Sequence, residues 1–250
     1  MKIFVINLAR SIERRASIEK QLSSLNLDYE IIEAVDGSQL SYEEILQKTR
    51  VLNYAIGCGE IGCALSHINI YKKIVAQNIP QALILEDDAL ISLETVEVMN
   101  KLEILNISLP TVTLLTEISQ RLRAPLYNTK GEKHSLHKVL EATCSHGYVV
   151  NHRAAVQLAN FLFPVWMVAD RWHILREYSV CNLQAVVPPV IFRTEHAETS
   201  TIQISDRSHA WMVQKKNYIW ETIKRRRPLK VKLKRLIWTS FVYPFLKIMK

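Results

Sequence analysis

At 250 residues, 48% of them hydrophobic and 8% aromatic, the chain is long enough to bury one substantial core and short for two catalytic domains. Six glycines and eight prolines, with no fixed-period repeat or low-complexity tract, exclude a solenoid and a disordered protein. The net charge of +8 belongs to the tail, since residues 224–250 hold ten Lys/Arg and no Asp/Glu; the remaining 22 basic and 24 acidic side chains give no electrostatic reason to expect a nucleic-acid partner.

Ile3-Phe4-Val5-Ile6 is a short, continuously apolar, β-branched run suited to a central parallel strand. Met1-Lys2 leads straight into it, so no cleavable signal peptide is expected. Cys58, Cys63, Cys144 and Cys181 contain no C-x-x-C pair, which fits free thiols in a reducing cytosol, with Cys63 a small core residue. Ser11 is placed to cap a helix from Ile12 to Leu25. Tyr29 to Ala34 reads as a second strand ended by the turn signal Asp36-Gly37, and strand, helix, strand suggests an α/β unit.

Gly57 to Gly62 holds three of the six glycines and reads as a loop that allows close backbone approach, followed by a helix from Ala64 to Gln77 that Pro80 ends. Ala82 to Leu85 forms a buried strand whose carboxyl end is Glu86-Asp87-Asp88. Val112 to Leu115, Gly147 to Val150 and Ala185 to Val187 follow as strands, and Ala154 to Phe163 as a helix. This alternation predicts a mixed, mostly parallel sheet flanked by helices, with ligands at the carboxyl ends of its strands. One catalytic domain over 1–222 and a basic amphipathic tail over 223–250 are expected.

Three adjacent carboxylates directly after an apolar strand require a compensating cation if they are buried. Mg2+ or Mn2+, which take oxygen ligands and bridge carboxylates to diphosphates, would supply it. The alternative is an acidic helix N-terminus, where the helix dipole favours negative charge.

Three ordered motifs narrow the choice: Val5-Ile6-Asn7-Leu8-Ala9-Arg10-Ser11-Ile12-Glu13-Arg14-Arg15, Gly59-Glu60-Ile61-Gly62-Cys63-Ala64-Leu65-Ser66-His67, and Leu83-Ile84-Leu85-Glu86-Asp87-Asp88-Ala89. Together they resemble the family-25 glycosyltransferases, which include the lipooligosaccharide galactosyl- and glucosyltransferases of Gram-negative bacteria and relatives of the collagen galactosyltransferases. The likeness continues through Gly147-Tyr148-Val149-Val150 and Pro188-Pro189-Val190-Ile191 to Ser200-Thr201-Ile202. It implies a GT-A-like α/β transferase that uses a UDP-hexose donor and a lipid-linked oligosaccharide acceptor, peripheral on the cytoplasmic face of the inner membrane.

Carried onto this chain, the resemblance makes Asp88 and Glu86 metal ligands and places Asp87 with the donor. Asn7, Arg10 and Arg14 would lie near the nucleotide, an arginine contacting phosphate through charge-assisted hydrogen bonds. Gly59, Glu60, Ser66 and His67 would form a donor wall, with Ser66 and His67 opening a helix whose free N–H groups meet the ligand. Asp170, and less directly Glu117, are the candidate general bases, with Trp172 placed to stack on a sugar. His196 is a candidate third metal ligand.

In the tail, Lys224-Arg225-Arg226-Arg227 and the basic residues to Arg235 precede Leu236, Ile237, Trp238, Phe241 and Phe245. That apolar run is too short to span a bilayer and fits an interfacial anchor on an anionic membrane surface. A different class of reading is a non-catalytic membrane-surface carbohydrate-binding protein built on the same fold.

Overall fold

The structure, a computed structural model, describes residues 1–127, 133–194 and 206–249. In chain order it runs β1 (Lys2–Asn7), α1 (Ile12–Ser24), β2 (Glu30–Glu33), α2 (Tyr42–Lys48), α3 (Cys58–Ala76), β3 (Gln81–Glu86), β4 (Ala89–Ile91), α4 (Thr95–Leu105) and β5 (Thr111–Leu114). It continues with β6 (Gln120–Tyr127), β7 (Ser135–Glu141), β8 (Gly147–Asn151), α5 (His152–Leu162), α6 (Trp172–Glu177), β9 (Asn182–Val187) and β10 (Ile191–Arg193). The last described elements are α7 (Asp206–Arg225), α8 (Leu229–Ile237) and β11 (Ile248–Met249).

Nine strands form one mixed sheet in the order β11-β6-β7-β9-β5-β8-β3-β1-β2, flanked by helices as expected for an α/β protein. Its parallel pairs are β1–β2, β1–β3 and β5–β9. β8 enters between β3 and β5 in the opposite direction, and β7, β6 and β11 also run antiparallel to their neighbours. Strand direction was not legible because a strand buried on both faces is apolar whichever way it runs.

Side-chain alternation along the central strands fills two cores. Phe4 and Ile6 of β1 and Ile84 of β3 pack with Ile70, Tyr71 and Ile74 of α3 and Ala154 and Leu158 of α5. Ile3, Val5, Leu83 and Leu85 face the other way, onto Ile18 and Leu22 of α1 and Val98, Met99 and Leu102 of α4. Truncating one such side chain to Ala typically costs about 2–5 kcal/mol.

The glycine cluster is not a loop. Helix α3 begins at Cys58, six residues before the predicted start, and Gly59 and Gly62 lie within it. Gly62, with Gly37 facing it, serves a tight crossing: a Cβ on Gly37 would fall 1.8 Å from the Cys58 carbonyl oxygen, and one on Gly62 would fall 2.4 Å from that of Val35. Ser11 occupies the N-cap position of α1 without a side-chain capping bond. Its carbonyl instead accepts from the Asn7 amide at 3.1 Å.

The tail folds onto the body. Helix α7 runs through the expected boundary at 222/223 without a break, and β11 pairs with β6. Arg227 and Arg235 both pair with Glu177 at the end of α6. Among the described residues no helix is long and apolar enough to cross a membrane.

Candidate functional site

A cleft of about 850 Å³ opens where β1 and β3 end. Because β8 runs antiparallel to β3, with Leu85 opposite Gly147, the residues just before β8 also arrive there. Ser145 and His146 are thus brought beside Glu86, whose N–H donates to the His146 carbonyl at 3.2 Å. Ser145 Oγ donates to Glu86 Oε1 at 2.5 Å, and His67 Nε2 lies 3.3 Å from the same oxygen. Burial alone would raise the Glu86 pKa, but the interactions with His67 and the hydrogen bond from Ser145 hold it down at about 2.

Behind Glu86 a polar chain enters the core. His67 Nδ1 is 2.7 Å from the Tyr148 hydroxyl, which is 2.7 Å from the Tyr71 hydroxyl. If Nε2–H donates to the carboxylate, Nδ1 must accept from Tyr148, and Tyr148 in turn accepts from Tyr71. His67 and Ser66 therefore do not open a helix, as the sequence reading expected; they lie buried in the third turn of α3, where their N–H groups are already used by the helix. Ser66 Oγ donates to the Gly62 carbonyl and accepts from Val35 N–H, both at 2.8 Å, so it braces the crossing of α3 against the β2 end.

Asp87 accepts from Asn7 Nδ2 at 2.8 Å and pairs with Arg14 at 3.3 Å. Arg14 lines the cleft, while Asn7 is buried behind Asp87 and does not line it; both hold this carboxylate, and burial still raises the Asp87 pKa. Asp88 differs. It is 9% exposed, its Oδ1 is buried with no hydrogen-bond partner among the described residues, and burial followed by the Glu86 charge raises its pKa to about 6. An ionised carboxylate left unsatisfied beside another carboxylate is what a missing counter-cation leaves behind.

The other expected residues divide. Arg10 pairs with Asp36 on the cleft rim. Gly59 and Glu60 both line the cleft at the start of α3; Glu60 also accepts from Gly57 N–H at 3.1 Å and pairs with Lys216 of α7, tying the helix start to the tail-bearing helix. Asp170 lines the cleft and accepts from the Cys144 N–H at 3.3 Å, while Arg171 turns to the Tyr54 hydroxyl at 2.5 Å. Trp172 cannot stack on a sugar: it is 1% exposed, packs edge-on against Tyr148 and donates from Nε1 to the Cys144 carbonyl at 2.8 Å. Glu117 is exposed and is not among the residues lining the cleft. His196, with the Ser200-Thr201-Ile202 segment, lies outside the described residues.

Sequence reasoning missed Ser145, His146, Arg193 and Cys63. The first two were detectable only by knowing the direction of β8, and Arg193 only by knowing that β10 pairs with β4 and so returns the chain beside Asp88. Burial, ahead of the opposing charge of Glu86, lowers His146 to about 4, which leaves it neutral at pH 7. Ligand atoms of Cys63, His67 and Glu86 lie within 4.8 Å of one another. Burial and the Glu86 charge keep that thiol protonated, and both His67 nitrogens are engaged, so this trio reads as the inner wall. The donors left for a cation are the oxygens of Asp88 and Glu86, which suits Mg2+ or Mn2+.

Fold and cleft together define an α/β protein with a carboxylate-floored ligand cleft at its strand ends, flanked by Arg10, Arg14, Arg193 and Lys216. The chain belongs to glycosyltransferase family 25, described as LPS biosynthesis proteins, whose family model matches residues 1–172. A glycosyltransferase 25 family member of Drosophila melanogaster is 41% identical over 96 residues, which is 35% of this chain and 16% of that protein. Procollagen galactosyltransferase 2 of Homo sapiens is 26% identical over 270 residues, 91% of this chain and 43% of that one. The inactive glycosyltransferase 25 family member 3 of Mus musculus is 32% identical over 97 residues, 35% of this chain and 16% of that protein. The chain spans less than half the length of these relatives.

Proposed function

We propose that this chain is a metal-dependent, inverting hexosyltransferase that moves galactose, or glucose, from a UDP-sugar to the saccharide of a lipooligosaccharide. Family membership supports sugar transfer, the procollagen galactosyltransferase among the relatives supports galactose, and the family description supports the acceptor class. The observation that carries the reading is Asp88, buried beside Glu86 with its Oδ1 short of a hydrogen-bond partner among the described residues. Mn2+ or Mg2+ held there would neutralise charge on the departing diphosphate.

The chain's own residues supply the rest. The hydrogen-bonded chain from Tyr71 through His67 fixes Glu86 in one orientation. Arg14, held against Asp87, and Arg193, beside Asp88, offer guanidinium groups to the nucleotide phosphates. Asp170, which lines the cleft, takes the proton of the acceptor hydroxyl as its oxygen attacks the anomeric carbon and the bond to UDP breaks. Attack from the face opposite the leaving group inverts the configuration.

The deciding experiment measures UDP release from UDP-galactose and UDP-glucose, with and without Mn2+, for the wild type and Asp88→Asn. Metal-dependent release that the variant loses is the expected result. Undiminished turnover in excess EDTA removes the metal, and saturable UDP binding without sugar release in any acceptor mixture makes the chain a binding protein instead.

A further inference from the structure

A second cavity, of about 710 Å³, lies at the opposite end of the sheet, where β5 and β9 begin, and the tail forms its outer wall. Pro110 and Asn182, which precede and open those strands, mark its floor, and Trp238 and Tyr243 close it. Three cations meet there. Lys138 of β7 and Arg176 of α6 both sit over the Trp238 ring, at 6.0 and 4.9 Å from its centroid. Lys234 of α8 reaches the Arg176 carbonyl and Ser179 Oγ.

Cations outnumber carboxylates there: Lys138, Arg176, Lys234 and Arg235 line the cavity with Glu141 and Glu177, and Glu177 is already paired with Arg227 and Arg235. Arg176 Nε is buried with no hydrogen-bond partner among the described residues. Burial, together with the neighbouring charges of Arg176 and Lys138, lowers the Lys234 pKa against the opposing pull of Glu177, as expected where cations crowd together.

Next to this cavity the tail exposes an apolar row. On α8, Val231 packs inward while Leu229, Leu233 and Leu236, at helical spacing, face outward; Phe241 and Phe245, the latter 81% exposed, extend the row. Lys230 and Lys232 stand exposed beside it. Docking against the body therefore uses the inward side of the tail and leaves an aromatic and aliphatic strip adjoining a cationic cavity.

We propose that this cavity receives the phosphate headgroup of an anionic phospholipid, with Lys138, Arg176 and Lys234 on the phosphate and the row from Leu229 to Phe245 in the acyl boundary. A headgroup rather than free phosphate is indicated because the tail that carries the apolar strip also supplies Lys234 and walls the cavity that Lys138 and Arg176 line.

Flotation of the full chain with phosphatidylcholine vesicles, with and without phosphatidylglycerol, tests this, with inorganic phosphate as competitor. Binding should require phosphatidylglycerol, fall about fivefold in Lys138→Gln and about 30-fold in the Lys138→Gln/Arg176→Gln double variant. Lys138 is exposed, so the single variant remains informative should the double one fail to fold. UDP release with a soluble acceptor should be unchanged in Lys138→Gln, which keeps the outcome separate from the fate of the catalytic reading. Two results overturn the proposal: vesicle binding untouched by Lys138→Gln yet lost in Leu233→Ser/Phe241→Ser, or saturable binding of inorganic phosphate with no attachment to anionic vesicles.

Discussion

The two ends of the central sheet each leave a buried charged group short of a hydrogen bond, of opposite sign. Where β1 and β3 finish, Glu86, Asp87 and Asp88 line a cleft rimmed by Arg10, Arg14, Arg193 and Lys216, and Asp88 Oδ1 has no hydrogen-bond partner among the described residues. Where β5 and β9 begin, Lys138, Arg176 and Lys234 line a cavity with Glu141 and Glu177, and Arg176 Nε has none. The separation is about one strand, roughly 20 Å, so screening at physiological salt leaves each end to find its own counter-ion. A buried carboxylate oxygen at one end and a buried guanidinium nitrogen at the other, each short of a partner, distinguish the two cavities from each other.

The sharpest way to break the comparison is at Asp88. Asp88→Asn should lower metal-dependent transfer by about 10³-fold, several kcal/mol of lost charge stabilisation, measured as initial rates of UDP release. At the basic end, Glu177→Gln should destabilise the fold by about 3 kcal/mol in urea, since Arg227, 5% exposed, loses a buried partner. A neutral effect there would mean that the tail is not held by this ion pair.

The acidic end should respond in the opposite sense when metal is withheld. The folded-state pKa of Asp88 is raised from 3.8 to about 6, so its contribution is present below pH 3.8 and is lost as pH rises through 6. In EDTA, Asp88→Asn should therefore be more stable than wild type at pH 7.5, by no more than about 3 kcal/mol, and no more stable at pH 4. Equal gains at both pH values in urea melts would dismiss the buried charge as the cause. The smallest effect is expected at the rim: Arg10→Gln removes an exposed ion pair with Asp36, and stability should move by less than about 1 kcal/mol.

Much of the acidic end was legible in the residues. Ile3 to Ile6 and Ala82 to Leu85 announce buried strands because nothing in them is polar, and three charges at the end of the second run mark where solvent or a ligand begins. The glycines of Gly57 to Gly62 were misplaced because the same residue type serves a loop and a close helix crossing, and only the partner backbone at Gly37 distinguishes them. Trp172 looked like a sugar platform because an aromatic beside an acid carries no sign of its own burial. Ser145 and His146 depended on the direction of β8, which apolar content does not encode. The basic end was visible only as tail composition; that its charge folds back against Arg176 and Lys138 is a tertiary fact.

The line of hydroxyls and imidazole from Tyr71 to Glu86 has a direction. With His67 Nε2–H on the carboxylate, each member gives its hydrogen toward the cleft, and the aim of the carboxylate is inherited from a phenol buried in the sheet's core. Tyr71→Phe takes away only the first link, whereas Tyr148→Phe frees His67 to adopt the other tautomer and turn a lone pair toward Glu86. A position without solvent exposure thereby governs the polarity of the site's floor.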